Sequence, residues 1–432
     1  VDTVSHVTDV EDPVADELTA LTHPAEGTPE VVVDAAGLNS LIDAISAGTG
    51  PIAIDAERAG GYRYSHSAYL IQLRRTGSGS HLIDPIGFKD LAALGDAIGD
   101  EEWILHAASQ DLPCLAELKM TPVHLFDTEM AARILGRPKV GLAALAESEL
   151  GLSLAKEHSA ADWSTRPLPE AWLRYATLDV ELLIELRSIL ATDLEATGRM
   201  DWAKEEFEYL RTAPARAPRT DPWRRTSGIH KVRSARGLEI ARRMWIARDE
   251  MAQQRDIAPG RVLPDAAISA AAIARPTSRK QLSELPAFTG RGTKRRIDYW
   301  WQAVADANVT PDSDLPPANA ASTGPPPPRS WPDRAPEAAA RLAQARGFLN
   351  EASTKLGIPT ENILTPDIAR RLCWEPPTPR DESAVAAYLA AAGARQWQIN
   401  LTCVGLTAAL SATAAEIASK NSPDDEDATY RK

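Results

Sequence analysis

The stretch PIAIDAERAG (residues 51–60) sets how the rest of the chain is read. Ile52 and Ile54 alternate with smaller residues, which predicts a short strand. Asp55 and Glu57 stand two apart, so they share a face if that strand continues. Acids at the end of an apolar run are costly to place unless something positive binds them. Two more stretches carry acids in comparable settings. In ILHAASQDLPCLAEL (104–118), Trp103 to His106 reads as a buried strand and Ser109 as the cap of a helix running through Leu118, with Asp111 in its first turn. In LRYATLDVELL (173–183), Leu173, Leu178, Leu182 and Leu183, followed by Leu186, recur at helical spacing. Tyr175 and Asp179 are then an i, i+4 pair on one helix face. The strand acids and the helix acids can converge at one edge of a mixed sheet.

Convergence has a chemical meaning. Magnesium and manganese prefer carboxylate and water oxygens. Two such ions roughly 3.5–4 Å apart serve both the attacking and the leaving oxygen of an in-line phosphoryl displacement. Four acids supply enough charge to hold two divalent ions, and a tyrosine one turn from a ligand can orient the attacking water. No histidine or cysteine cluster offers a zinc site instead. A lone Asp-x-Glu carries little weight in a chain with 60 Asp and Glu. Asp111 alone reads equally well as an acid facing a helix dipole. The ordered set carries the weight.

That set resembles the DEDD exonuclease superfamily, in the branch whose third motif is Tyr-x-x-x-Asp, here Tyr175 to Asp179. LIDP (82–85), FDTEMAARIL (126–135) and HSAADWSTRPL (158–168) are similar to the ribonuclease D family between those motifs. The resemblance implies an α/β ribonuclease-H-like domain with a mixed sheet, a 3′-to-5′ exoribonuclease activity that uses two divalent metal ions (Mg2+ or Mn2+), and release of nucleoside 5′-monophosphates. It makes Asp55, Glu57, Asp111 and Asp179 metal ligands and Tyr175 the residue that positions the water. His106, Gln110 and Lys156 lie close to family motifs and are candidates for substrate contact or for solvated and capping roles. Asp127 reads as a helix cap. One departure stands out: family members often follow Asp-x-Glu with a bulky apolar residue, where this chain has Arg58-Ala59-Gly60-Gly61.

Composition and charge divide the 432 residues further. Residues 1–28 are acidic and poor in large apolar side chains, and are expected to be disordered. The nuclease domain is expected over 29–210, followed by a basic, proline-interrupted linker (211–230), a helical domain (231–307), a proline-rich spacer (308–335), a second helical domain (336–420) and an acidic tail (421–432). QRDIAPGRVLPDAAISAAA from Gln254 aligns with TKLGIPTENILTPDIARRL from Thr354, so the helical domains read as copies. Both are similar to the HRDC domain, the second more weakly.

The net charge of −13 conceals an asymmetry. Residues 1–30 hold eight acids and no Lys or Arg, whereas 211–305 hold twenty Lys or Arg and eight acids. A basic middle is the usual electrostatic footprint of phosphate binding. The expected partner is RNA, tRNA precursors by resemblance, with DNA as the alternative for a repair exonuclease. A non-catalytic RNA-binding adaptor is the reading from another class, and a missing acid would have favoured it. Three distant cysteines fit a reducing, cytoplasmic setting. No apolar run is long enough to span a membrane, and nothing dependable signals an oligomer, so a monomer is expected. Truncation after about Leu210 spares every proposed ligand, and the isolated nuclease domain is expected to keep its chemistry.

Overall fold

Among the described residues eight strands form two sheets: β1 (Thr19–Leu21), β2 (Val31–Val32), β3 (Thr49–Arg58), β4 (Ala68–Thr76), β5 (Gly79–Ile83), β6 (Glu102–Leu105), β7 (His124–Asp127) and β8 (Leu152–Leu154). The computed structural model describes residues 18–154, 158, 160–214, 217, 219–319 and 324–413. The main sheet has the order β2-β5-β4-β3-β6-β7. β3 runs antiparallel to β4 and parallel to β6, so the sheet is mixed. Ile52, Ala53 and Ile54 are all fully buried, as a central strand covered on both faces requires. Helices flank it, and Trp103, Leu105, Phe126 and Leu186 join the main apolar core.

Several expectations need correction. Residues 19–21 are not disordered: β1 pairs in parallel with β8, Thr19 opposite Leu152. Leu21 packs on the main core, and the Ala25 N–H donates to Glu181 at 2.9 Å. The backbone groups of this short stretch are satisfied by strand pairing, which composition does not register. Residues 1–17 of the acidic start, the acidic tail at 421–432 and Lys156 lie outside the described residues. Ser109 does not cap the helix. It sits within a 3-10 turn (Ala108–Gln110), and the helix Leu112–Glu117 begins after Asp111 without a side-chain cap. Pro113 in its first turn has no N–H to satisfy. The leucine-rich stretch divides at Leu182 into Glu170–Glu181 and Leu183–Ala196. Both linkers are structured where they carry tryptophan: Trp223 is buried in the first helical core, and Trp331 in the second, its indole N–H donating to Pro326 O at 2.8 Å.

The two helical units repeat one plan. Each opens with a 21-residue helix (Ala235–Arg255, Pro336–Leu356), then a four-residue helical turn (Pro259–Val262, Thr360–Ile363), then a third helix (Asp265–Ala274, Pro366–Trp374). Leu263 and Leu364 occupy the same extended position between the second and third.

Both units are fastened to the nuclease unit. Asp256, in the left-handed cap of its helix, accepts from Tyr64 N (3.1 Å), Ser65 N (2.9 Å) and the Tyr69 hydroxyl (3.3 Å). Ala258 N donates to Tyr62 O, Arg261 donates to Gly61 O, and its guanidinium lies 4.0 Å over the Tyr62 ring. On the other side Trp397 stacks on Trp202 with centroids 5.1 Å apart. Glu206, only 2% exposed, accepts from the Trp397 indole (2.9 Å) and from Arg395 (2.8 Å). A Cβ at Gly136, which has φ +78°, would stand 2.6 Å from Gly357 O, so the second unit meets the nuclease backbone to backbone. Truncation near Leu210 therefore spares the acids but strips Trp397 from the main core and Asp256 from the loop after β3, which makes point variants the cleaner test of the helical units.

Asp256→Ala leaves the Tyr64 and Ser65 N–H groups without their acceptor. We expect a loss of about 1–3 kcal/mol, with faster hydrogen exchange confined to residues 61–65 and the start of the facing helical unit. Unchanged exchange there would show that the loop is held by the sheet alone.

Candidate active site

The four acids reach one cavity of about 560 Å3 from three directions. Asp55 and Glu57 come from the central strand β3, where the apolar side chains that bury it give way to its C-terminal end. Tyr175 and Asp179, one helical turn apart on Glu170–Glu181, cross above that end. Asp111 arrives from the turn after β6. One oxygen each from Asp55, Glu57 and Asp179 lies within 4.8 Å of the others. Asp111 lines the same cavity outside that trio, its Oδ1 3.4 Å from Arg58 Nη2. Because Asp111 makes no capping bond to its own helix, its carboxylate is left for the cavity.

Burial and crowding raise the pKa of each of these acids. Burial first, then repulsion from Asp55, Asp179 and Asp111, pushes Glu57 up to about 10. Burial, with Asp55 next, raises Asp111 and Asp179 well above the usual carboxylate range. Asp55 is raised by burial, against the Ala56 N–H and the Arg58 guanidinium. Burial and the neighbouring acids also raise Tyr175, so its phenol stays protonated and donates to Asp179. An oxygen-only donor set whose carboxylates ionise only against a compensating positive charge fits hard divalent cations.

The remaining expected residues are placed less uniformly. His106 lines the cavity, and burial pushes its imidazole down to about 4, so it is neutral. The Thr128 hydroxyl donates to Leu105 O, which leaves its oxygen to accept from His106 Nδ1 at 2.9 Å and turns Nε2 into an acceptor. Gln110 lines the cavity with its Oε1 3.4 Å from Arg58 Nη2.

Asp127 does more than cap. Besides Glu129 N and Met130 N it accepts from Ala107 N (3.2 Å) and Ala108 N (2.8 Å), holding Ala107 in a left-handed conformation that aims the turn toward Asp111. Two other structural partners escaped the sequence reading. Arg166 makes a bidentate pair with Asp84 (2.6 and 2.9 Å) and donates to Tyr69 O (2.7 Å), tying HSAADWSTRPL to LIDP. Trp163, fully buried beside Trp172 and Tyr175, walls the helix that carries the tyrosine. The two motifs were visible as stretches; their pairing was not.

Comparison with known proteins agrees with this geometry. A family model described as 3′-5′ exonuclease matches residues 29–195, the HRDC domain model matches 237–304, and a model described as 3′ to 5′ exonuclease C-terminal domain matches 324–410. The second helical unit thus carries its own family description while repeating the plan of the first. A ribonuclease D of Shewanella sp. is 33% identical over 269 residues, covering 60% of this chain and 68% of that protein. Other curated ribonucleases D are spanned over 52% to 72% of their length. A crystal structure of a protein from Bifidobacterium adolescentis is 37% identical with a TM-score of 0.84, covering 91% of this chain and all of that one. Escherichia coli RNase D, described as an exoribonuclease involved in structured RNA processing, shares the fold at 24% identity, with a TM-score of 0.64 over 88% of this chain and 98% of its own. The chain belongs to the ribonuclease D family of 3′-to-5′ exoribonucleases.

Proposed function

We propose that this protein trims the 3′ ends of structured RNA, tRNA precursors among them, by two-metal hydrolysis that releases nucleoside 5′-monophosphates. The observation that carries the reading is the approach of Asp55, Glu57 and Asp179 oxygens within 4.8 Å, with Asp111 and Tyr175 on the same cavity. Asp55, Glu57, Asp111 and Asp179 are the residues to hold the cations, which when bound stabilise charge on both the attacking and the leaving oxygen. Tyr175 stays neutral, and its hydroxyl oxygen has lone pairs left to accept from a water while its proton is given to Asp179. His106 presents a neutral acceptor at the cavity wall, suited to a ribose hydroxyl. The cavity sits at a strand end between a helix and a turn, a place a single strand can enter by its end. RNA capture falls to the first helical unit. Much of its positive charge is already paired, Arg242 and Arg243 with Glu239, Arg248 with Asp265 and Arg279 with Asp298. Among the described residues Arg291, Lys294 and Arg295 are exposed and, with Arg296, make no ion pair; they lie together on the short helix Arg291–Arg295 and its end, which makes these four the densest candidate face for phosphates. No helix among the described residues is long and apolar enough to cross a membrane.

Asp179→Asn keeps the shape and removes a ligand charge. It should lose about 4 kcal/mol of barrier stabilisation, roughly 1000-fold in rate, and Mn2+ should raise the Tm of the parent but not of the variant. Tyr175→Phe should be milder. Near-parental cleavage by Asp179→Asn, or circular RNA cut as fast as linear RNA, would overturn the reading; equal rates on DNA and RNA of one sequence would favour the repair alternative.

Replacing Arg291, Lys294, Arg295 and Arg296 by Gln should leave turnover at saturating RNA unchanged. The plot of log affinity against log salt should flatten by roughly 0.7 for each phosphate that the variant no longer neutralises. Parallel plots for parent and variant would assign that face to solvent.

A further inference from the structure

Arg58 is the single Lys or Arg among the described residues that lines the cavity. Strand alternation would turn it away from Asp55 and Glu57. It is turned back because the pairing of β3 with β4 slips between Glu57 and Arg58: Glu57 stands opposite Leu70, and Arg58 opposite Ala68. Irregularities of this kind re-aim side chains beside active sites. The backbone beyond is fixed from the other side. Ala59 O accepts from Tyr62 N and Arg63 N, and Gly61 O and Tyr62 O are held by Arg261 and Ala258 of the first helical unit.

The side chain is held loosely by comparison. Its Nη2 lies 3.4 Å from Asp111 Oδ1 and 3.4 Å from Gln110 Oε1, both long for a hydrogen bond, and 29% of the side chain is exposed. A guanidinium has five N–H donors in a planar fork suited to phosphate, and these two contacts engage one nitrogen of the fork. Five carboxylates line the same cavity: Asp55, Glu57, Asp111, Glu129 and Asp179. An RNA phosphate entering it meets acid oxygens on every side but that of Arg58. A cation binding Asp111 competes with Arg58 for that carboxylate and frees the guanidinium where the phosphate must sit.

We propose that Arg58 is a substrate-binding residue that grips a non-bridging oxygen of the phosphodiester at the RNA 3′ end, giving up its contact with Asp111 when cations enter. The proposal rests on the nuclease reading above and adds a contact to it.

The test uses full-length protein with Arg58→Leu and Arg58→Lys, and two readouts that need no cleavage. The first is binding of a single-stranded trinucleotide RNA, too short to bridge from the cavity to the helical units, in Ca2+, a hard cation of the same oxygen preference. The second is Mn2+ binding by calorimetry without RNA. For Arg58→Leu we expect the trinucleotide to bind about tenfold more weakly, with a salt slope flatter by roughly 0.7, and Mn2+ to bind several-fold more tightly because a like charge has gone. Arg58→Lys should keep the salt slope and recover part of the affinity. Unchanged trinucleotide binding in Arg58→Leu would overturn the proposal and leave Arg58 as a counter-charge for the acids. Loss of both RNA and Mn2+ binding would overturn it too, by showing a damaged site. If the parent itself failed to bind the trinucleotide, the nuclease reading would fall first.

Discussion

Mutual repulsion among buried carboxylates is the constraint around which this molecule is arranged. Asp55, Glu57 and Asp179 stand within 4.8 Å of one another with Asp111 close by, and burial together with that crowding drives Glu57 up to about 10. Left to themselves such groups would separate or take up protons. They are held because each sits on an element fixed for other reasons. β3 is buried on both faces, the helix Glu170–Glu181 is wedged against Trp163, and the turn before Asp111 is stitched to Asp127 by the Ala107 and Ala108 N–H groups. The crowding is local, and an all-oxygen set of this kind suits hard cations.

The helical units belong to this arrangement as much as the sheet does. Asp256, Ala258 and Arg261 hold the loop that follows the first two acids. Trp397 and Arg395 converge on Glu206, whose carboxylate is buried and would be costly unpaired. The nuclease unit therefore meets both its helical neighbours through satisfied polar contacts around an aromatic or loop surface. The contacts of the first unit lie within a few residues of Glu57.

Sequence patterning registered the fold class because its signals are local. Alternation at Ile52 and Ile54, the i, i+4 relation of Tyr175 and Asp179, and the repeated Pro-Asp-type openings of the helical units depend on neighbours a few residues away. The same reasoning failed where local cues compete. Ser109 looks like a helix cap, but Asp127, far off in sequence, takes the N–H groups of the turn before it. The acidic start looks disordered, but β8 offers Thr19–Leu21 a partner that composition cannot see. Tryptophans in the two linkers were the signal that those stretches are partly core, since an indole buries too much apolar area to be left in a spacer.

By itself, the sequence determined that this chain has a mixed-sheet nuclease unit, that four acids and a tyrosine form an ordered set, and that two similar helical units follow, because periodicity, motif order and repetition are properties of the chain. Tertiary structure alone decided that Arg58 faces those acids through a slip in strand register, that Arg166 closes on Asp84, and that the helical units clasp the nuclease through Asp256 and Trp397. Each of these depends on which distant backbone groups are left without partners once the sheet has formed, and that is settled only when the whole chain has packed.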